Sequence, residues 1–106
     1  MKTYDVVFAP EAEEQLAKLY RDVADRASPQ IAEHYVSAIL DYCEGMQTVP
    51  HRGTQRDDIR PGLRITHYKG RAIIAFAVEG EQVWIVGVFY GGQDYESALR
   101  SEEDEA

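Results

Sequence analysis

Five residues of this sequence could together cleave a phosphodiester without a metal: His51, Arg64, His67, Arg71 and Tyr90. A histidine or tyrosine there would move protons, and the arginines would stabilise charge building on a phosphorane-like centre. The bland reading of the same residues is equally physical. His67 sits in an alternating strand pattern, where a histidine is more often a surface or satisfied residue than a base, and His51 lies in a loop beside Arg52, a cation that does not poise it specially. His34 falls on a helical stretch and reads the same way. No other motif carries chemistry. The chain has no glycine-rich phosphate loop, no Gly-x-Ser-x-Gly and no His-x-x-x-His pair. Its single cysteine, Cys43, allows no intramolecular disulfide and no cysteine zinc site, and it falls in an apolar helical pattern as a small core hydrophobe. No cofactor or metal is expected.

These residues lie in and after a basic segment. From His51 to Arg71 the cations are Arg52, Arg56, Arg60, Arg64, Lys69 and Arg71, opposed by Asp57 and Asp58. The segment carries +4 in a chain of net charge −8. That overall balance argues against a general nucleic-acid binder or a polybasic membrane binder. Two readings of the segment compete. Arg56 with Asp57 and Asp58 could be a local ion-pair cluster tying the loop to the sheet. Alternatively, the arginines form a patch for an acidic partner or phosphates.

The elements that must position these residues follow from periodicity. Tyr4–Ala9 reads as a strand with Tyr4, Val6 and Phe8 on one face, stopped by Pro10. Glu11–Ala27 reads as a helix with the stripe Ala12, Leu16, Leu19, Tyr20, Val23 and Ala27. Ser28-Pro29 is a second helix start, a capping hydroxyl followed by proline. The helix it opens, Gln30–Gly45, has the stripe Ile31, Tyr35, Ala38, Ile39, Tyr42 and Met46. A break this short predicts a helical hairpin with both stripes turned to a common partner. After a loop over Gln47–Pro61 come three apolar runs, Leu63–Lys69, Arg71–Glu79 and Gln82–Tyr90, broken at Gly70 and at Glu79-Gly80-Glu81. That is the pattern of a three-stranded antiparallel meander.

The first run alternates, with Leu63, Ile65 and His67 against Arg64, Thr66 and Tyr68, so one of its faces should meet solvent or a partner. The second and third runs are apolar on both faces, whereas a helical hairpin covers one. Trp84, Val86 and Val88, or else their alternates, are therefore left for an interaction surface, unless the chain termini fold back over them. Tyr95–Arg100 is expected to form one helical turn, and the acidic residues 101–106 a disordered tail. The expectation is one α+β domain over residues 1–100. With no signal-peptide pattern and no stretch of membrane-spanning length, a cytoplasmic protein is the default.

In this order of elements the chain resembles the RelE/ParE toxin superfamily, and within it the ParE-type toxins of plasmid-stabilisation (type II toxin–antitoxin) systems. The resemblance is carried by Phe8-Ala9-Pro10-Glu11-Ala12, Pro50-His51-Arg52-Gly53-Thr54, Asp57-Asp58-Ile59-Arg60-Pro61-Gly62-Leu63-Arg64 and Gly87-Val88-Phe89-Tyr90-Gly91-Gly92-Gln93-Asp94. It implies a helical hairpin packed on an antiparallel sheet. It also implies a ParD-like antitoxin whose C-terminal segment wraps the toxin, and DNA gyrase as a target inhibited by binding, with no catalytic residues. RelE-like relatives instead cleave mRNA on the ribosome, and they resemble one another in basic residues just after the last strand. Here that position is Gly91-Gly92-Gln93-Asp94, without a cation. The alternatives are thus a RelE-like mRNA endonuclease and a toxin reduced to an antitoxin-binding module. For antitoxin contact the expected residues are Arg52, Arg56, Arg60 and Arg64 as electrostatic contacts and Trp84, Tyr90 and Tyr95 as apolar or aromatic anchors.

Overall fold

Two prolines and one serine set the helices. Pro10 opens helix α1 (Pro10–Arg26), where its missing N–H costs nothing, and Ser28 caps helix α2 (Pro29–Glu44) by accepting a hydrogen bond from Ile31 N at 3.1 Å. The computed structural model describes residues 3–69, 71–92 and 94–104. Along the chain, strand β1 (Asp5–Phe8) precedes the hairpin α1–α2. A 3-10 turn (Gly45–Gln47), the two-residue strand β2 (Thr54–Gln55) and strands β3 (Leu63–Tyr68), β4 (Ala72–Glu79) and β5 (Gln82–Tyr90) follow, and helix α3 (Tyr95–Asp104) closes the fold. The α+β class, the hairpin and the meander are as expected. The proposed break at Gly70 lies outside the described residues. Lys69, just before it, takes a positive φ of 50°.

The five strands form one sheet in the order β1-β5-β4-β3-β2. The meander pairs antiparallel, while β1 joins the far side of β5 in parallel register, Asp5 with Gln82 through Phe8 with Ile85. A parallel pair needs a crossover, which the helical hairpin supplies.

The hairpin covers one face. Ala12, Leu16 and Leu19 of α1 and Ile39 and Cys43 of α2, with Met46, pack on Ala72, Ile74, Phe76, Val83, Ile85 and Val88. Tyr4, Val6 and Phe8 join the same cluster, as their shared parity requires. Val83, Ile85 and Val88 reach one face only because the register slips. Ala75 pairs with Gly87 but Phe76 with Ile85, which leaves Val86 as an extra residue and reverses the parity of β5 beyond it.

The helix stripes need correcting at their ends. Tyr20 and Ile31 are exposed, Ile31 by 55%, each turned off the packed stripe while its neighbours Leu19 and Ala32 are buried. Ala32 and Cys43 are fully buried in their stead. Burial pushes the Cys43 thiol up to about 12, as expected of a core hydrophobe.

The second face is covered in part. Leu63, Ile65, Ala75 and Phe89 are buried beneath Leu99 of α3 and Ile59 of the preceding loop. The alternation left one face of β3 to solvent or a partner, and neither is open along its length: Leu63 and Ile65 belong to a second small core with His67 at its exposed end, while Thr66 is buried and Tyr68 packs on the hairpin side. The C-terminal segment does this covering. It forms a ten-residue helix rather than a single turn, and the helix takes in residues 101–104 of the expected disordered tail. Residues 105 and 106 lie outside the described residues.

Candidate functional site

The Arg56–Gly62 loop is closed by its own polar side chains. Asp57 accepts hydrogen bonds from Gly62 N (2.8 Å) and Gln55 Nε2 (2.9 Å). Arg56 grips Asp58 in bidentate fashion, Nε to Oδ1 at 2.9 Å and a terminal nitrogen to Oδ2 at 2.8 Å. The same guanidinium reaches α3, donating to Glu96 at 2.7 Å and to the Tyr95 hydroxyl at 3.2 Å. Arg60 donates to the Leu99 carbonyl at 2.8 Å. Of the two readings of the basic segment, the local ion-pair cluster describes Arg56 with Asp58, but it ties the loop to α3, some forty residues further along the chain, and not to the sheet. Arg100 approaches Asp58 and Glu96 at 3.6 and 3.8 Å, adding a second cation to the node.

The charges answer to this geometry. The Arg56 guanidinium holds the Asp58 carboxyl down at about 2, against an ordinary 3.8, and Asp58 and Glu96 in turn raise Arg56. A carboxyl with a depressed folded value contributes stability above its unfolded value, and that stability is lost as pH falls through the folded one. The grip of Asp58 on Arg56, and its contact with Arg100 of α3, is therefore expected to weaken between about pH 4 and pH 2. Amide exchange across α3 would follow it, and Asp58→Asn should remove that part of the acid transition. Superimposable acid curves for the two proteins would refute the assignment.

A second lock holds Pro50–Thr54. Arg64 donates from Nε to the Arg52 carbonyl at 3.0 Å and from a terminal nitrogen to the His51 carbonyl at 2.9 Å. Gly53 follows with φ +77°, pressed against the β3 backbone where Thr54 pairs with Ile65. The Arg52 guanidinium lies 4.8 Å from the centroid of the Tyr42 ring, and the Tyr42 hydroxyl hydrogen-bonds Thr66 at 3.0 Å. The Arg52-Gly53-Thr54 and Gly62-Leu63-Arg64 motifs thus meet as two halves of one loop closure.

The five residues of the phosphodiester constellation are not gathered into one site. His67 pairs with Ile73 and lies on the second face, while Arg64 and Tyr68 project to the hairpin face. Tyr90 is level with Ala72 and so with Tyr68, four residues along β3 from Arg64, about 13 Å at the rise of a strand. There it stacks edge-on against Tyr35 at 5.6 Å. His51 stacks edge-on with Tyr4 at the other end of the chain fold. Among the described residues, no three or more His, Cys, Asp or Glu side chains are placed to hold a metal ion. No helix among them is long and apolar enough to cross a membrane.

Of the expected aromatic anchors, Tyr95 packs on Phe89 beneath the Arg56 node. Trp84 lies half-buried on the second face between Val7 and Ala77, in the part that α3 leaves uncovered. Tyr90 borders a cleft that sequence reasoning missed, between α1 and the end of β5. Gln15, Leu19, Val23, Ile31 and Val88 line it with Tyr90. The legible signal was Ile31, an apolar residue in the first turn of α2 that stays exposed.

A family profile described as "ParE toxin of type II toxin-antitoxin system, parDE" matches residues 6–95. No curated protein matches the sequence. Among solved structures, the chromosomal ParDE toxin–antitoxin system of P. aeruginosa superposes with a TM-score of 0.73 at 20% identity, covering 83% of this chain and 96% of that one. The RelBE2 toxin–antitoxin complex of Mycobacterium tuberculosis gives 0.62 at 20% identity, covering 88% and 97%. At that identity the two likenesses are ones of fold. The family match spans β1 to the start of α3 and takes in both loop locks and the glycines after β5. The chain belongs to the ParE toxin family of type II toxin–antitoxin systems.

Proposed function

We propose that this chain is a toxin that acts by binding DNA gyrase and is neutralised by a ParD-like antitoxin. The observation that carries the reading is the family match across residues 6–95. Two features favour binding over catalysis. The side chains that could cleave RNA are divided between the two faces of the sheet, and no cation follows β5 at Gly91, Gly92 or Asp94. Antitoxin contact falls to the half-buried aromatic groups Trp84 and Tyr90, with Arg52 contributing its guanidinium and Arg56, Arg60, Arg64 and Tyr95 whatever donor capacity their internal bonds leave. One domain working in the cytoplasm suits this role.

The test is inducible expression in a bacterial host, with growth, the DNA-damage response and transcript integrity read together. The expected result is growth arrest with a damage response and intact mRNA. Arrest with fragmented transcripts would establish the mRNA endonuclease instead. Healthy growth from a folded, expressed chain would refute toxin action and leave a module that only binds antitoxin.

A further inference from the structure

The family match ends at Tyr95, the first residue of α3, so the helix lies almost wholly outside the matched span. Its attachment is unevenly divided. The apolar share is small: Leu99 is buried, and Tyr95 rests on Phe89 with ring centroids 6.1 Å apart. The polar share is larger and comes from one stretch of loop. Arg56 donates to Glu96 at 2.7 Å and to the Tyr95 hydroxyl at 3.2 Å, Arg60 donates to the Leu99 carbonyl at 2.8 Å, and Arg100 approaches Asp58 at 3.6 Å. Outside the helix itself, the hydrogen bonds and ion pairs of Tyr95, Glu96, Leu99 and Arg100 all run to Arg56–Arg60, and among the described residues none of them reaches a strand.

Such a latch answers to salt. Water and ions reach its charges, since the side chains of Glu96, Arg100 and Asp58 are 40%, 48% and 57% exposed. Exposed pairs are screened as the Debye length falls from about 30 Å at 0.01 M ionic strength to about 3 Å at 1 M. The pairs are also shared. Arg56 serves Asp58 of its own loop and Glu96 of the helix, and Arg100 approaches the same two carboxylates. Screening therefore loosens all of them together. A ten-residue helix holds little structure once it is detached. What it covers is half of a continuous row. Leu63 stands opposite Ala77, Ala77 opposite Trp84 and Trp84 opposite Val7, so one line across four strands runs from beneath the loop and helix into the part they leave open.

We propose that α3 is a charge-latched strap, docked at low ionic strength and released as salt rises, so that ionic strength sets how much of the sheet's second face is open. Release joins Leu63, Ile65 and Phe89 to Trp84 and Val7 in one apolar surface. The device is independent of whether the chain acts on gyrase or binds an antitoxin.

The test is amide hydrogen exchange on the full chain at neutral pH, in potassium chloride at about 0.01 M and about 1 M. Protection across α3 is expected to fall at least about fivefold with salt while β4 and β5 keep theirs. Glu96→Lys sets a cation against Arg56 and Arg100, so its α3 should be released at low salt and regain protection as salt screens the repulsion. That inversion of sign distinguishes a charge latch from general loosening of a helix end. Protection of α3 that does not change with salt in the unsubstituted chain would overturn the proposal. So would loss in step with β4 and β5, which would make salt act on the whole fold, or a fall with salt in Glu96→Lys like that of the unsubstituted chain.

Discussion

Gly53→Ala is expected to destabilise the fold by about 3 kcal/mol, a fall in Tm on the order of 15 °C for a domain this small. The left-handed backbone at φ +77° disfavours any Cβ by roughly 1–2 kcal/mol. The larger part is the contact. A Cβ on Gly53 would overlap the Ile65 carbonyl oxygen and stand 3.1 Å from Thr66 Cβ. Backbone cannot step aside as a flexible side chain can, so the loop itself must lift from β3. Lifting it pulls the Arg52 and His51 carbonyls off the Arg64 guanidinium, two hydrogen bonds to a charged group. Gly62→Ala is the control. Gly62 has φ +80° but open space where its Cβ would go, so it should show the conformational cost alone. Equal losses in the two variants, read by thermal or denaturant unfolding, would remove the close approach from the explanation.

That glycine shows what the sequence could and could not disclose. Arg52-Gly53-Thr54 stood out as a motif, and its place in a basic segment invited a reading as partner contact. The positive φ and the pressure on β3 depend on Thr54 meeting Ile65 across an unpredicted two-residue strand. Local patterns were legible where local physics decides them. The prolines and Ser28 placed the helix starts to within a residue, and the glycine-bounded apolar runs placed β3, β4 and β5. What joins distant segments was not legible. The parallel β1–β5 pair has no turn to announce it, and the parity change at Val86 arises only from a register slip against β4. Period-two counting on β5 alone puts Val86 and Val88 on one face, and the bulge puts them on opposite ones. The arginines were visible as charge, but their partners Glu96, Tyr95 and Leu99 lie some forty residues away. No spacing rule connects them.

The same node governs the second prediction. Helix α3 is ten residues long, too short to be stable by itself in water. Asp94 begins it, accepting hydrogen bonds from Ser97 N and Oγ, and so sits below the ordinary carboxylate range. Docking must supply the rest, and among the described side chains of the helix Leu99 is the fully buried apolar one, at 1% exposure among Ile59, Leu63, Ile65, Ala75 and Phe89. Leu99→Ala would cost about 2–5 kcal/mol if the site held its shape. The helix has an easier escape. It can leave the sheet once the lost contact exceeds its docking free energy, so the loss in global stability is capped at that value. The expected result is therefore asymmetric. Amides of α3 should exchange as though unprotected, while those of β4 and β5 keep most of their protection and Tm falls by less than for Phe76→Ala in the main core, whose full cost is about 3–5 kcal/mol. Undocking also bares Leu63, Ile65 and Phe89, so the variant should bind more hydrophobic dye than the unsubstituted chain. If β4 and β5 lost protection in step with α3, the helix would be an integral part of the core, and the Arg56 node would be bracing a single cooperative unit instead of fastening a separable one.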